Sequence, residues 1–141
     1  MKRIGSAVWN GGIKTGDGKV STESGVLDGV PYSFAKRFGD AKGSNPEELI
    51  GAAHAGCFSM AFAAGLAKSG YAPKRVSTEA RVHLTKTEAG FSITKVDLVT
   101  EAEVPGIDAA VFQEHAQGAK KNCPVSRALA AIEITVDAKL V

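Results

Sequence analysis

Two cysteines stand in contrasting settings, and their chemistry depends on what each setting does to the thiolate, the reactive form of the side chain. Cys123 lies in KKNCPVS (residues 120–126), directly before Pro124. Proline suits the first position of a helix, so the Cys123 sulfur is expected at a helix N-terminus, where unpaired N–H groups favour thiolate over thiol. Lys120 and Lys121 add positive charge nearby. Cys57 lies inside LIGAAHAGCFSMAFAAGLA (residues 49–67), about three turns into an expected helix. The macrodipole contributes little there, and apolar neighbours raise a thiol's pKa. To react, Cys57 needs an imported positive charge. Arg37, in FAKRFGD ahead of the loop GDAKG, is the candidate. The competing readings are ordinary: a buried cysteine that packs as a small hydrophobe, and an arginine that is a solvated charge at a strand end.

Glu47 and Glu48 fill the first turn of the same helix, where acids interact well with its dipole. Glu47 precedes Cys57 by ten residues, so a straight helix separates them by about 15 Å along its axis. They cannot meet within that helix. Two copies packed antiparallel about a two-fold axis bring Glu47 of one near Cys57 of the other, so a site containing both implies a dimer with shared sites. His54, three residues before Cys57, shares its helix face and suggests a Cys–His pair or a metal ligand. Neither CxxC nor HxxxH spacing occurs, and two ligands do not make a zinc site. A buried, hydrogen-bonded imidazole is the expected role, and His83 offers less still. Phosphate-binding loops, GxSxG elbows and dinucleotide fingerprints are absent. No metal and no cofactor is expected.

The elements that must position these residues follow from turn and periodicity signals. The 141 residues suit one domain, 44% of them hydrophobic and 23% charged. Residues 1–40 read as β-rich, with strands over 2–10, 19–24 and 31–38 set off by Gly-containing turns. A central helix is expected over about 46–68, with Asn45 as cap, Pro46 at its first position and Ser69-Gly70 as its stop. Residues 74–141 read as mixed: a hairpin of 75–87 and 91–104 about Glu88-Ala89-Gly90, helices from Asp108 to about 121 and over 124–130, and a strand over 132–139. The sum is an α+β chain of antiparallel sheet with a central helix buried on most sides. Nineteen residues from Leu49 to Ala67 carry no formal charge, nearly the length of a membrane span, but ten are Ala or Gly, which insert weakly. The net charge of +2 and the absence of a basic run argue against nucleic acid. Met1-Lys2-Arg3 is followed by too short and polar a stretch for a signal peptide, so a reducing, cytoplasmic setting with free thiols is expected.

VSTESGVL (20–27), NPEELIGAAHAGCFSMA (45–61), GFSITKVDL (90–98), VPGID (104–108) and NCPVSRAL (122–129) together resemble the OsmC/Ohr family of thiol peroxidases, in its OsmC (osmotically inducible protein C) branch. The resemblance spans nearly the whole chain in unbroken order. It implies the OsmC-like fold, an intertwined homodimer with sites at the subunit interface, and reduction of organic hydroperoxides, more weakly of hydrogen peroxide, without metal or flavin. By position, Cys57 resembles the peroxidatic cysteine, Cys123 the resolving one, Arg37 the arginine that holds the thiolate, and Glu47 its carboxylate partner. The resemblance also implies a lipoyl-type dithiol as reductant. Phe58, Met60 and Phe62, apolar and close to Cys57, are expected to contribute to a substrate pocket, with some of them serving as core. A thiol sensor or small-molecule binding protein on the same fold is the alternative reading.

Overall fold

The computed structural model describes all 141 residues, Met1–Val141. They form two compact units, Met1–Leu49 and Ile50–Val141. In the first, β1 (Gly5–Asn10), β2 (Asp17–Thr22) and β3 (Val30–Ser33) make an antiparallel meander in that order. Trp9, Gly18 and Tyr32 fall in register across the three strands. A Cβ at Gly18 would collide with the Tyr32 ring, so its absence lets Trp9 and Tyr32 meet over the middle strand with ring centroids 5.3 Å apart.

The strand expected over 31–38 is cut short. After Ser33 the chain turns into a one-and-a-half-turn helix, α1 (Phe34–Phe38). Ser33 caps it by accepting from Lys36 N–H, and Phe34 and Phe38, four residues apart, stack with centroids 4.8 Å apart. A local cap and an i,i+4 aromatic pair outweigh the strand preference of the aromatic residues.

The long helix α2 (Pro46–Lys68) starts and stops as its sequence indicates. Asn45 Oδ1 accepts from Glu48 N–H at 2.8 Å, and Gly70 takes a positive φ of 85° just past its end. By length and composition alone α2 could cross a membrane. Its burial is one-sided, which corrects the expectation of a helix covered on most sides. Glu47, Gly51, His54, Phe58, Phe62 and Leu66 are buried at intervals of three and four, whereas Ala52, Ala53, Gly56, Met60, Ala64 and Ala67 are exposed. A Cβ at Gly51 would lie 3.1 Å from the Ala80 carbonyl oxygen, so the helix approaches its neighbouring strand closely there.

That strand belongs to the second unit, where β4 (Arg75–Thr87) and β5 (Gly90–Glu103) form the expected antiparallel hairpin. Helices α3 (Ala109–Asn122) and α4 (Pro124–Ala128) follow, and β6 (Glu133–Leu140) closes the sheet in the order β4-β5-β6. β6 runs parallel to β5, not antiparallel as expected. The two strands are joined through α3 and α4, and a helical crossover returns the chain in its starting direction. The core sits between sheet and helices. Phe58, Phe62 and Leu66 of α2 pack with Val96, Leu98 and Ala102 of β5 and with Phe112 and Ala116 of α3. The Phe62 ring contacts both Phe58 and Phe112, at 5.8 and 5.3 Å between centroids.

On the opposite face of this sheet Asp97 is held by Thr135, Lys95 and His83. Those hydrogen bonds, Thr135's the largest, keep its carboxyl well below the usual carboxylate range. A depressed folded pKa adds stability above the unfolded pKa and loses it as pH falls toward the folded one. The wild type is therefore expected to be more stable than Asp97→Asn at pH 7, with the gap closing as pH drops below about 4, as read by urea unfolding at several pH values. Phe62→Ala should cost about 3–5 kcal/mol in the same assay, because its ring is fully buried between two others.

Candidate active site

Within Met1–Leu49, α1 ends in Lys36 and Arg37, and α2 begins with Pro46 and Glu47. The loop between them brings these two ends together. Arg37 Nη2 donates to Glu47 Oε1 at 2.7 Å, and Nε lies 3.2 Å from both carboxylate oxygens. Two-pronged bonding of this kind fixes the plane of the guanidinium as well as its distance. The carboxylate is the better shielded partner, with 10% of its side chain exposed against 35% for Arg37. Arg37 also lies over the Phe38 ring, 5.1 Å from the centroid. It is therefore no solvated strand-end charge: it sits on a short helix, paired and oriented. Glu48, its neighbour in sequence, is exposed.

One wall of a pocket of about 200 Å³ is formed by Arg37. The others come from Trp9, Ile13, Tyr32, Phe34 and Phe38. Sequence reasoning missed this aromatic wall, although the density of rings in PYSFAKRF (residues 31–38) carried a hint of it. Of the three residues expected near the substrate, two are the core residues that the expectation allowed for. Phe58 and Phe62 are core at 0% exposure, and Met60 is 76% exposed. A helix with one face in the core turns residues 58 and 62 toward it and leaves Met60 outside.

Within Ile50–Val141, Cys57 and Cys123 are both free thiols, the first half-buried and the second fully buried. They are neighbours, and the balance between them favours a thiol on Cys57 beside a thiolate on Cys123. Cys123 is the N-cap residue of α4, with Pro124 at the first helical position. Its sulfur makes no capping bond of ordinary geometry but lies within hydrogen-bonding influence of the helix's first N–H groups. The two thiols are pushed in opposite directions. Burial raises the Cys57 pKa, the Val125 N–H opposes that, and the neighbouring Cys123 sulfur adds to it. Burial would raise Cys123 too, but the Ser126 N–H, the Cys57 thiol, the Ser126 hydroxyl and the Val125 N–H together hold it below its ordinary value. The pair titrates jointly, and its first negative charge favours Cys123.

His54 is buried and its Nε2 lies 2.7 Å from Ser126 Oγ, the hydrogen-bonded imidazole that its place in the sequence suggested. Ser126 was not among the residues singled out, and 72 positions separate it from His54. No cluster of three metal-binding side chains occurs.

Residues 39–139 match the family model for OsmC-like protein. The chain belongs to the OsmC family. The match crosses the boundary between the two units. Peroxiredoxin OsmC of Escherichia coli (strain K12) is 56% identical over 140 residues, 99% of this chain and 97% of that protein. An organic hydroperoxide resistance protein of Xanthomonas axonopodis pv. citri (strain 306) is 34% identical over 115 residues, 79% of this chain and 78% of the relative. A crystal structure of an organic hydroperoxide resistance protein OsmC from Legionella pneumophila matches with a TM-score of 0.70 at 26% identity, covering 99% of this chain and 96% of that one. The OsmC-like fold expected from the sequence motifs is thus the fold observed.

The Arg37–Glu47 pair makes a specific demand on this OsmC chain. Arg37→Lys keeps the charge but loses the fork, and is expected to lower stability by about 1–2 kcal/mol. Arg37→Ala should cost more, because it leaves a shielded carboxylate without its partner. Urea unfolding checks the order; equal costs for the two variants would contradict it.

Proposed function

We propose that this chain is a cysteine-based peroxidase that reduces organic hydroperoxides, and hydrogen peroxide more weakly, to alcohol and water. The observation that carries the reading is the pair of free thiols, Cys57 and Cys123, close enough for each to shift the other's ionisation. The names of the relatives, a peroxiredoxin and an organic hydroperoxide resistance protein, support a peroxidase role.

In the proposed cycle the Cys57 thiolate attacks the distal peroxide oxygen, the O–O bond breaks, and the alkoxide leaves as alcohol after taking up a proton. Cys57 becomes a sulfenic acid. Cys123 closes on it to give a disulfide and water, and an external dithiol, of lipoyl type by the family resemblance, reduces the disulfide by exchange. Arg37, oriented by Glu47, supplies the positive charge that the apolar setting of Cys57 lacks. The aromatic pocket beside Arg37 suits the alkyl part of the substrate.

We place this chemistry in a homodimer working in the cytoplasm, each chain acting as one functional domain. Arg37 and Glu47 of one chain are bonded to each other, so in this reading they travel together to the Cys57 of the partner. The exposed face of α2 supports a helix pairing: Ala52, Gly56, Met60 and Ala64 recur every four residues, and a Cβ at Gly56 would meet nothing within 4 Å. The small residues of this row admit a second helix at close range, and Met60 offers it an apolar side chain to cover.

Stopped-flow oxidation with cumene hydroperoxide tests the activity. Cys57→Ser should abolish peroxide consumption, and Cys123→Ser should stop after one turnover. Multi-turnover activity in Cys57→Ser, or oxidation of the wild type too slow to be enzymatic, would sink the reading and favour a thiol sensor. Gly56→Arg should convert a dimer to a monomer in sedimentation with the helical circular dichroism kept.

A further inference from the structure

Four side chains in Ile50–Val141 gather at the start of α4: His54, Ser126, Cys123 and Cys57. His54 Nε2 and Ser126 Oγ are 2.7 Å apart, with His54 wholly buried and Ser126 5% exposed. Ser126 stands three residues after the N-cap Cys123 at the start of α4, and its hydroxyl and the Cys57 thiol both favour the thiolate form of Cys123. A hydroxyl has one hydrogen to give. If Ser126 gives it to Cys123, its oxygen must accept from His54, which requires the imidazole hydrogen on Nε2. The remaining nitrogen supports this direction. His54 Nδ1 is buried without a partner, and a bare acceptor is orphaned in a protein interior more readily than an N–H donor. Burial also disfavours the charged imidazolium, which would carry a hydrogen on both nitrogens.

We propose that His54 and Ser126 form a one-way hydrogen-bond chain ending on the Cys123 sulfur, and that this chain holds Cys123 as the thiolate that attacks in disulfide closure. The proposal rests on the peroxidase reading for its role in the cycle. Ser126 touches a reacting atom and is a catalytic residue; His54 acts through it and is a positioning residue. In the closing step the Cys123 thiolate attacks the Cys57 sulfur of the sulfenic acid. The S–S bond forms as the S–O bond breaks, the Cys57 sulfur is reduced and Cys123 is oxidised. The departing hydroxide leaves as water, taking up a proton equal to the one Cys123 released on ionising.

The test has two arms. In the Cys57→Ser background Cys123 is the only thiol, and ultraviolet thiolate absorbance follows its titration without any peroxide. Adding Ser126→Ala should move the titration to higher pH. His54→Phe should move it the same way, and His54→Gln, whose amide can still donate to Ser126, should restore it. An unmoved titration in Ser126→Ala overturns the proposal, whatever becomes of the peroxidase reading. In the second arm the cysteines are intact, one equivalent of alkyl hydroperoxide is added, and the Cys57 sulfenic acid is trapped with dimedone over time. Closure in Ser126→Ala should be slower by about tenfold or more, the factor expected from one hydrogen bond to a charged group. Closure at the wild-type rate counts against the chain. Failure of the parent protein to form any sulfenic acid would instead overturn the peroxidase reading, while the titration still decides the hydrogen-bond chain.

Discussion

Burial of Cys57 works against its ionisation, and that opposition is what the proposed site has to overcome. A thiol in the middle of an apolar helix receives no help from the macrodipole, which acts at the ends. Its nearest partner, Cys123, is the better anion of the two, being served by the start of α4 and by Ser126. Left to its own unit, the thiol pair places its charge on the sulfur that is not proposed to meet peroxide. In the proposed cycle a cation is what moves the charge. Arg37 suits that role because Glu47 fixes its plane and distance in advance, so little reorganisation is needed when the charge appears. The bond to Glu47 uses Nε and one Nη, and a guanidinium has a second Nη to offer to another group.

Helix α2 serves these groups as a ruler with two faces. Its first turn carries the carboxylate that orients the arginine, and its middle carries the thiol, ten residues on. One face, through Phe58, Phe62 and Leu66, is anchored in the core against β5 and α3. That anchoring fixes where Cys57 and His54 stand relative to α4. The other face is a row of small residues interrupted by Met60. Such a helix has no strong amphipathic pattern because both faces are apolar, one filled with large side chains and one made mostly of Ala and Gly. In the proposed dimer the second face does the remaining positioning.

Much of this was legible in the sequence because it is written locally. Asn45-Pro46 and Ser69-Gly70 mark the ends of α2, Cys123-Pro124 marks a cysteine at a helix start, and the alternation of Val96, Leu98 and Ala102 marks the inner face of β5. The family resemblance implied one chemistry for Cys57, Cys123, Arg37 and Glu47, which the proposed function carries forward. What was not legible depends on contacts between distant segments or on small balances of propensity. The turn of Phe34–Phe38 into a helix rests on one serine cap and one ring pair, too weak a signal against a run of aromatics. The parallel pairing of β6 is decided by the helices between it and β5, not by its own alternation. The bond between His54 and Ser126 spans 72 residues, and nothing in either segment announces the other. The aromatic pocket beside Arg37 draws on β1, β3 and α1 together.

The central claim is that Cys57 and Cys123 are a working redox pair and not two buried hydrophobes that happen to touch. The most direct measurement is a thiol count on the fully reduced protein before and after one equivalent of alkyl hydroperoxide per chain, with intact mass recorded alongside. The account expects both thiols to disappear together, the chain to lose two hydrogens, and a dithiol to restore both. Two thiols left titratable after the peroxide is added, or a gain of oxygen on one cysteine with the other still reduced, would contradict it.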